Sequence, residues 1–399
     1  MPPPEGLARF KVAIAFGTRP EAIKLAPVIR AVGRDPDLAA RVLVTAQHRQ
    51  LLDQALAPFG IVPDVDLDLM RSGQSLSALT RRVLEGMDRV LAAEHPDMVL
   101  VQGDTTTVFA AALSAFYRGI PVGHVEAGLR SFDLADPFPE EANRRLTAQI
   151  AAVHYAPTQR AVDNLVQEGV APERVVLTGN TGIDTLMSVM NTETVLSPPG
   201  PWQALPAGSR PVLLTLHRRE SWGTRLSGIC RAIRRAADEL PELRILYPVH
   251  PQPKVRATVE PLLGGHPRIS LVAPLDYLDN VAAMKACSFV VTDSGGIQEE
   301  APVLGKPVLV LREVTERPEA VAAGTSWLVG VGERAVYDAV VRLATDTQRY
   351  RQMARVVSPY GDGRASERVV SSIRRLAGLS EIPVRPLSVP GGRDWGRSA

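Results

Sequence analysis

The chain reads as an α/β protein of two doubly wound domains, and three observations predict it. Short β-branched and aliphatic runs alternate with stretches of helical period from residue 11 onward, the pattern of parallel sheets with helices on both faces. The alternation is interrupted once, by SPPGPWQALPAGSR at 197–210, and then restarts. The polar clusters follow predicted strands, at the carboxyl edge where open α/β sheets bind ligands. Two such sheets facing each other would gather those clusters around one interdomain cleft.

Residues 11–16 alternate and then run apolar, a first strand. GTRP at 17–20 is a turn, and 21–32 carries apolar Ile23, Pro27, Val28 and Val32, a helix with one early proline. A strand at 41–45, a helix at 50–59 and a short strand at 65–69 come next. The stretch 75–94 is a long amphipathic helix with Leu76, Leu79, Val83, Met87, Val90 and Leu91 on its apolar side. Strands 98–102, 122–125, 153–156 and 175–178 then alternate with helices 107–117, 140–150 and 160–168. A helix at 182–190 leads into the interruption. Beyond it, strands are predicted at 212–215, 244–248, 269–272, 289–292, 307–311 and 327–329, with helices between them. A helix over 365–376 and a Pro/Gly/Arg tail from about 383, expected to be loose, finish the chain.

At 399 residues there is room for two full cores. A hydrophobic content of 45% and a charged content of 22% are ordinary for a soluble protein. Net charge is +2 with both signs interspersed, and the few aromatics are not interleaved with basic clusters, which argues against nucleic acid. Cys230 and Cys287 lack CxxC spacing and read as buried small hydrophobes in a reducing compartment. The N-terminus lacks the layout of a signal peptide, and no apolar run reaches the ~18 residues of a membrane span. A cytoplasmic enzyme is expected. No HExxH, Cys/His ligand spacing or DxD cluster appears, so no metal is expected. Basic residues are mostly Arg; the lysines are Lys11, Lys24, Lys254, Lys285 and Lys306, and only Lys24 adjoins a turn motif.

The chain is organised around residues 289–302, FVVTDSGGIQEEAP. A strand, the turn 293–296 and a helix starting at Ile297 aim backbone N–H groups and a positive dipole end at an anion. Gly295 and Gly296 let an oxygen-rich ligand approach the backbone. Glu299 and Glu300 either complement the dipole or clamp sugar hydroxyls. Asp104, in QGDTTT, sits at a strand-to-helix turn as a carboxylate for chemistry or as an N-cap. Glu126 follows an apolar strand, and Glu140 opens a helix, where dipole complementation is the alternative. His217-Arg218-Arg219 ends another strand, a cationic run that a pyrophosphate would explain. His250 is a weaker case of the same kind, with a hydrogen-bonded loop histidine as the alternative. Arg312 and Arg317 flank a further post-strand loop.

Eight segments carry a resemblance. GTRPEAIKLAPV (17–28), TAQHRQLLDQ (45–54), QGDTTT (102–107), HVEAGLRS (124–131), PEEANRR (139–145), LHRRES (216–221), TDSGGIQEEAP (292–302) and TERPEA (315–320) resemble non-hydrolysing UDP-N-acetylglucosamine 2-epimerases. The resemblance implies a GT-B-type fold of two Rossmann-like domains, 1–180 and 181–364, with a terminal helix at 365–382 crossing back to the first and a loose tail at 383–399. It implies a homodimer that uses neither metal nor nicotinamide. The implied reaction interconverts UDP-GlcNAc and UDP-ManNAc, for surface polysaccharide, by eliminating UDP across C1–C2 to 2-acetamidoglucal and adding it back. Such a route needs acid/base groups around C1–C2 and an anchor for departing UDP. By motif, Asp104, Glu126, Glu140 and His217 match catalytic positions. Arg19, Lys24, Arg144, Ser294, Gly295, Gly296, Glu300 and Arg317 match substrate-binding ones. Asn280 stands where members commonly carry an aromatic expected to pack on uracil. Some members bind a second substrate molecule as activator; Gln47, Gln50, Arg218 and His250 match that site, while an arginine used by some relatives falls at Gly73. A related UDP-acetamido sugar such as a UDP-diacetamido uronic acid, or hydrolytic release of ManNAc and UDP, remains open, as does a nucleotide-sugar sensor on the same scaffold.

Overall fold

The structure, a computed structural model, describes residues 9–45, 56–69, 71, 73–190, 200–218 and 222–387. Its strands are β1 Phe10–Phe16, β2 Leu38–Val44, β3 Val65–Asp66, β4 Met98–Gln102, β5 Val122–Val125, β6 Val153–Ala156 and β7 Val175–Leu177, then β8 Arg210–Thr215, β9 Leu243–Pro248, β10 Ile269–Val272, β11 Phe289–Thr292, β12 Val308–Val310 and β13 Ser326–Leu328. The helices are α1 Arg19–Arg34, α2 Leu76–Glu94, α3 Thr106–Tyr117, α4 Glu140–Ile150, α5 Gln159–Gln167, α6 Thr181–Met190, α7 Thr224–Glu239, α8 Pro253–Leu263, α9 Tyr277–Ala286, α10 Gly295–Glu300, α11 Pro318–Ala322, α12 Glu333–Thr345, α13 Thr347–Met353 and α14 Ala365–Leu376.

Two compact units result, one of Met1–Ser188 with Tyr360–Ala399 and one of Val189–Pro359. In the first, a parallel sheet runs β3-β2-β1-β4-β5-β6-β7. Its central strands β1 and β4 are apolar on both sides and buried, as a sheet covered on both faces requires. Ala13, Ala15, Val99 and Val101 form a core with Val83, Met87 and Leu91 of α2. The order reverses between β1 and β4, so the turns after these two strands lie side by side. The second unit repeats the plan with order β10-β9-β8-β11-β12-β13 and a reversal between β8 and β11. There Leu214, Phe289, Val291 and Leu309 pack against Ile229, Ile233 and Val340. At such reversals the connecting helices lie on opposite faces and leave a crevice at the strands' carboxyl ends.

Helix α14 belongs to the first unit. Asp184 caps its start, accepting from the amides of Ala365 at 3.0 Å and Ser366 at 2.7 Å. At its other end Arg374 pairs with Asp35 at 2.7 Å and Asp37 at 2.9 Å, just beyond α1. Cys230 and Cys287 are free and buried. Among the described residues, no helix is long and apolar enough to cross a membrane.

Several boundaries differ from the sequence reading for local reasons. The strand expected over 65–69 stops at Asp66, because Asp68 turns left-handed (φ 43°) and its amide folds back on the Asp66 carboxylate at 3.0 Å. Helix α1 starts at Arg19, since Thr18 and Glu21 form a capping box. Helix α10 starts at Gly295, two residues before the expected Ile297. Of the helix expected over 50–59, Ala57–Phe59 is a single 3₁₀ turn and residues 50–55 lie outside the described residues.

Candidate active site

In the first unit the reversal point gathers carboxylates. Asp104 follows β4 in the turn before α3, but it does not cap that helix. Thr105 does, accepting from the Val108 amide at 3.3 Å. The Asp104 carboxylate is thereby left to Arg144 of α4, whose Nη2 and Nε reach Oδ2 at 2.7 and 3.0 Å. Arg144 also donates to Glu141 at 3.0 Å, and Asn143 fixes the Asp104 carbonyl at 2.8 Å.

Glu126 follows β5 with φ of 63°, a conformation a non-glycine residue holds only when its surroundings impose it. The same turn also requires a glycine two residues on. Gly128 has φ of 89°, and a Cβ there would come within 2.2 Å of the Ala161 carbonyl oxygen. The Glu126 carboxylate ion-pairs with Lys24 of α1 and accepts from Asn180 Nδ2 at 3.2 Å. In the Lys24–Glu126 pair the carboxylate is buried and the ammonium half-buried. A buried carboxylate held by an ammonium on one side and an amide on the other is fixed in place, with its charge compensated.

Two buried groups near these turns have shifted proton affinity. Glu21 accepts from the amides of Gly17 and Thr18 at 3.1 and 2.7 Å and from Thr105 Oγ1 at 2.8 Å, tying the turn after β1 to the turn after β4. Burial raises its pKa to about 7 against the pull of those hydrogen bonds. His124, on β5, meets the Gly103 carbonyl through Nε2 at 2.7 Å, and burial lowers its pKa to about 4. It is neutral at pH 7 and braces the loop that carries Asp104.

The second unit's reversal point is built differently. Register pairs Thr215 with Thr292, so the residues beyond both strands meet. Asp293, fully buried, accepts from the amides of His217 and Arg218 at 3.1 and 3.0 Å, and its Oδ1 lies 3.2 Å from His217 Nδ1. Beside it Ser294 takes the N-cap position of α10 without a side-chain capping hydrogen bond. Neither Gly295 nor Gly296 has a positive φ, so their value is space rather than conformation. At Gly295 a Cβ would lie 2.6 Å from the Arg317 guanidinium carbon. Glu299 holds that guanidinium by its Nε at 2.5 Å and Glu316 by its Nη1, so a Cβ at Gly295 would have to push it out of these ion pairs. Glu316 also pairs with Arg312 at 2.6 Å. Glu300 accepts from the buried Tyr277 hydroxyl at 3.2 Å.

The other expected residues that the structure describes follow strands of the same two sheets. Arg19 opens α1, and Glu140 opens α4 beside the fully buried Glu141, which holds the loop amides of Ser131 and Phe132. Asn280 is half-buried in the first turn of α9. Arg218 Nη2 lies 3.7 Å from Glu316. His250 accepts from the Gln252 amide at 3.2 Å and tilts against Trp222 with ring centroids 6.1 Å apart, the loop-histidine arrangement. Gln47 and Gln50 lie outside the described residues. Sequence reasoning gave no site role to Glu21, Asn180 and Glu316, and took Asp293 only as part of the polar turn 293–296. Glu21 carried a further signal, the Thr-x-x-Glu spacing of a capping box. Among the described residues, no group of three or more His, Cys, Asp or Glu side chains could hold a metal ion.

Comparison with known proteins bears on what these two edges serve. The family model described as UDP-N-acetylglucosamine 2-epimerase matches residues 30–374. A Yersinia pestis UDP-N-acetylglucosamine 2-epimerase is 50% identical over 370 residues, 92% of this chain and 98% of that protein. The Escherichia coli K12 protein of the same name is 48% identical over 370 residues, with the same two coverages. Among solved structures, UDP-GlcNAc 2-epimerase from Neisseria meningitidis, bound to UDP-GlcNAc, superposes with a TM-score of 0.88 at 43% identity, covering 92% of this chain and all of that one. The two doubly wound units and these neighbours make the fold GT-B-type. With the family match running from residue 30 to 374 through both units, and a relative 50% identical over 92% of the chain, the chain belongs to the UDP-N-acetylglucosamine 2-epimerase family.

Proposed function

We propose that the chain interconverts UDP-GlcNAc and UDP-ManNAc at C2 without hydrolysis. In this reading a base removes the C2 proton as the C1–O bond breaks, its electron pair leaving with UDP and the C2–H pair forming the C1–C2 double bond of 2-acetamidoglucal. Return of UDP to C1 with a proton on the opposite face of C2 completes the epimerisation. The observation that carries the proposal is the pairing of each carboxylate with its own fixed cation, Glu126 with Lys24 and Asp104 with Arg144. Carboxylates oriented before substrate arrives suit proton transfer on either face of a sugar ring. Asp104, Glu126, Glu140 and His217 take the acid/base roles; Arg19, Lys24, Arg144 and Asn280 contact substrate. Ser294, Gly295, Gly296, Glu300 and Arg317 anchor the nucleotide, the leaving group whose charge must be stabilised. A homodimer is part of the same proposal, supported by exposed Phe116, Tyr117 and Leu146 on α3 and α4. Phosphorus and anomeric proton spectra of a UDP-GlcNAc incubation test the chemistry. Equilibrium with UDP-ManNAc is expected; accumulation of free ManNAc and UDP would replace the proposal with a hydrolysing one.

A further inference from the structure

Asp293 spends its acceptor capacity on a single neighbour strand. Its two oxygens take the backbone amide of His217, each at 3.1 Å, and one also takes that of Arg218 at 3.0 Å. Its own amide donates back to the Thr215 carbonyl at 3.2 Å, while the Thr215 and Thr292 hydroxyls meet at 2.6 Å just below. The side chain is wholly buried, yet the His217 ring it touches is 44% exposed. An acidic group in such a place ordinarily serves one of two ends. It either stitches two strand ends together or orients the ring.

We infer that Asp293 is a positioning residue: it holds hydrogen on His217 Nδ1 and leaves Nε2 as the nitrogen with the free electron pair. Three amide contacts favour an ionised carboxylate, which has only acceptors to offer, so the ring nitrogen 3.2 Å away must supply a hydrogen. Burial pushes the Asp293 pKa up, but the His217 ring and the two amides outweigh it and hold it below the usual carboxylate range. The imidazole is thus set with its proton-accepting nitrogen on the exposed side, and any charge it gains is balanced by Asp293. The functional value of this arrangement rests on the acid/base role proposed above for His217. The tautomer itself does not.

The full chain labelled with 15N-histidine decides the matter, using long-range proton–nitrogen correlation at a pH where the ring is neutral and His217→Gln for assignment. The expected wild-type pattern is Nδ1–H with unprotonated Nε2. In Asp293→Asn the side-chain carbonyl can keep the amides while its NH₂ faces Nδ1, so the hydrogen should move to Nε2. Turnover in Asp293→Asn should then fall at least ~10-fold with KM changed less than about twofold. An Nε2–H ring in the wild type, or an unmoved tautomer in folded Asp293→Asn, would overturn the inference, and the wild-type spectrum suffices if that variant does not fold. Full turnover in His217→Gln beside an Nδ1–H wild-type ring would leave the positioning intact and remove the acid/base role of His217.

Discussion

The two sheet reversals share one topology and carry opposite chemistry. At the β1/β4 edge, Glu21, Asp104, Glu126 and Glu141 are each held by named donors, amides and a hydroxyl for Glu21 and a cation for each of the other three. At the β8/β11 edge the order is inverted: Arg317, braced by Glu299 and Glu316, lies against Gly295, Arg312 shares Glu316, and the buried Asp293 at the strand end faces a histidine. The repeated fold therefore fixes where a ligand is handled, and the residues following the strands decide how. In the proposed reaction the carboxylates of the first edge move protons, and the second edge holds the departing diphosphate through Arg317 and the glycine turn while His217 is its one acid/base group.

If that division holds, substitutions at the two edges should fail differently. Asp104→Asn is the most incisive at the first. It removes the carboxylate while leaving Arg144 paired with Glu141, so the fold should persist. Turnover is expected to drop by roughly 10²–10⁴-fold with little change in KM, the range for losing a positioned acid or base. Full activity in this variant would remove the elimination scheme. Arg317→Ala at the second edge should instead raise KM for the nucleotide sugar and the inhibition constant of UDP together, by about 10–100-fold, the loss of one charge-assisted anion contact. Gly295→Ala should repeat that phenotype more weakly, because the added methyl displaces the same guanidinium. A kcat-only defect in either would erase the contrast between the edges.

The smallest effect concerns stability, not rate. Glu21 has a folded pKa of about 7, raised by burial from an ordinary value of 4.5. A carboxyl whose folded pKa is raised stabilises below the unfolded value and loses that contribution as pH climbs through the folded one. Glu21→Gln keeps the hydrogen-bonding shape without the charge, so its stability relative to wild type should improve by about 2.5 kcal/mol between pH 5 and 8. Urea unfolding of both proteins across that range measures it; a pH-independent gap would mean that Glu21 is not desolvated as described.

Much of this was legible in the chain itself. Local hydrophobic periodicity places β1, β4, β8 and β11, and the polar residues after them follow, because a parallel sheet exposes only its strand ends. What could not be read are pairings between turns distant in sequence. Lys24 meets Glu126 across 102 positions, and Asp293 meets His217 across 76. These depend on sheet order and register, which no local pattern encodes. Asp104 shows the same limit in small: an N-cap and a reactive carboxylate look alike in sequence, and only Thr105's hydrogen bond to Val108 separates them.

The central claim is that UDP leaves and returns with a proton exchanged at C2, and running the reaction in D₂O tests it most directly. Proton spectra should show deuterium at C2 in both UDP-GlcNAc and UDP-ManNAc, with the C1–O–P linkage intact at equilibrium. Epimerisation that retained the original C2 hydrogen would contradict the claim.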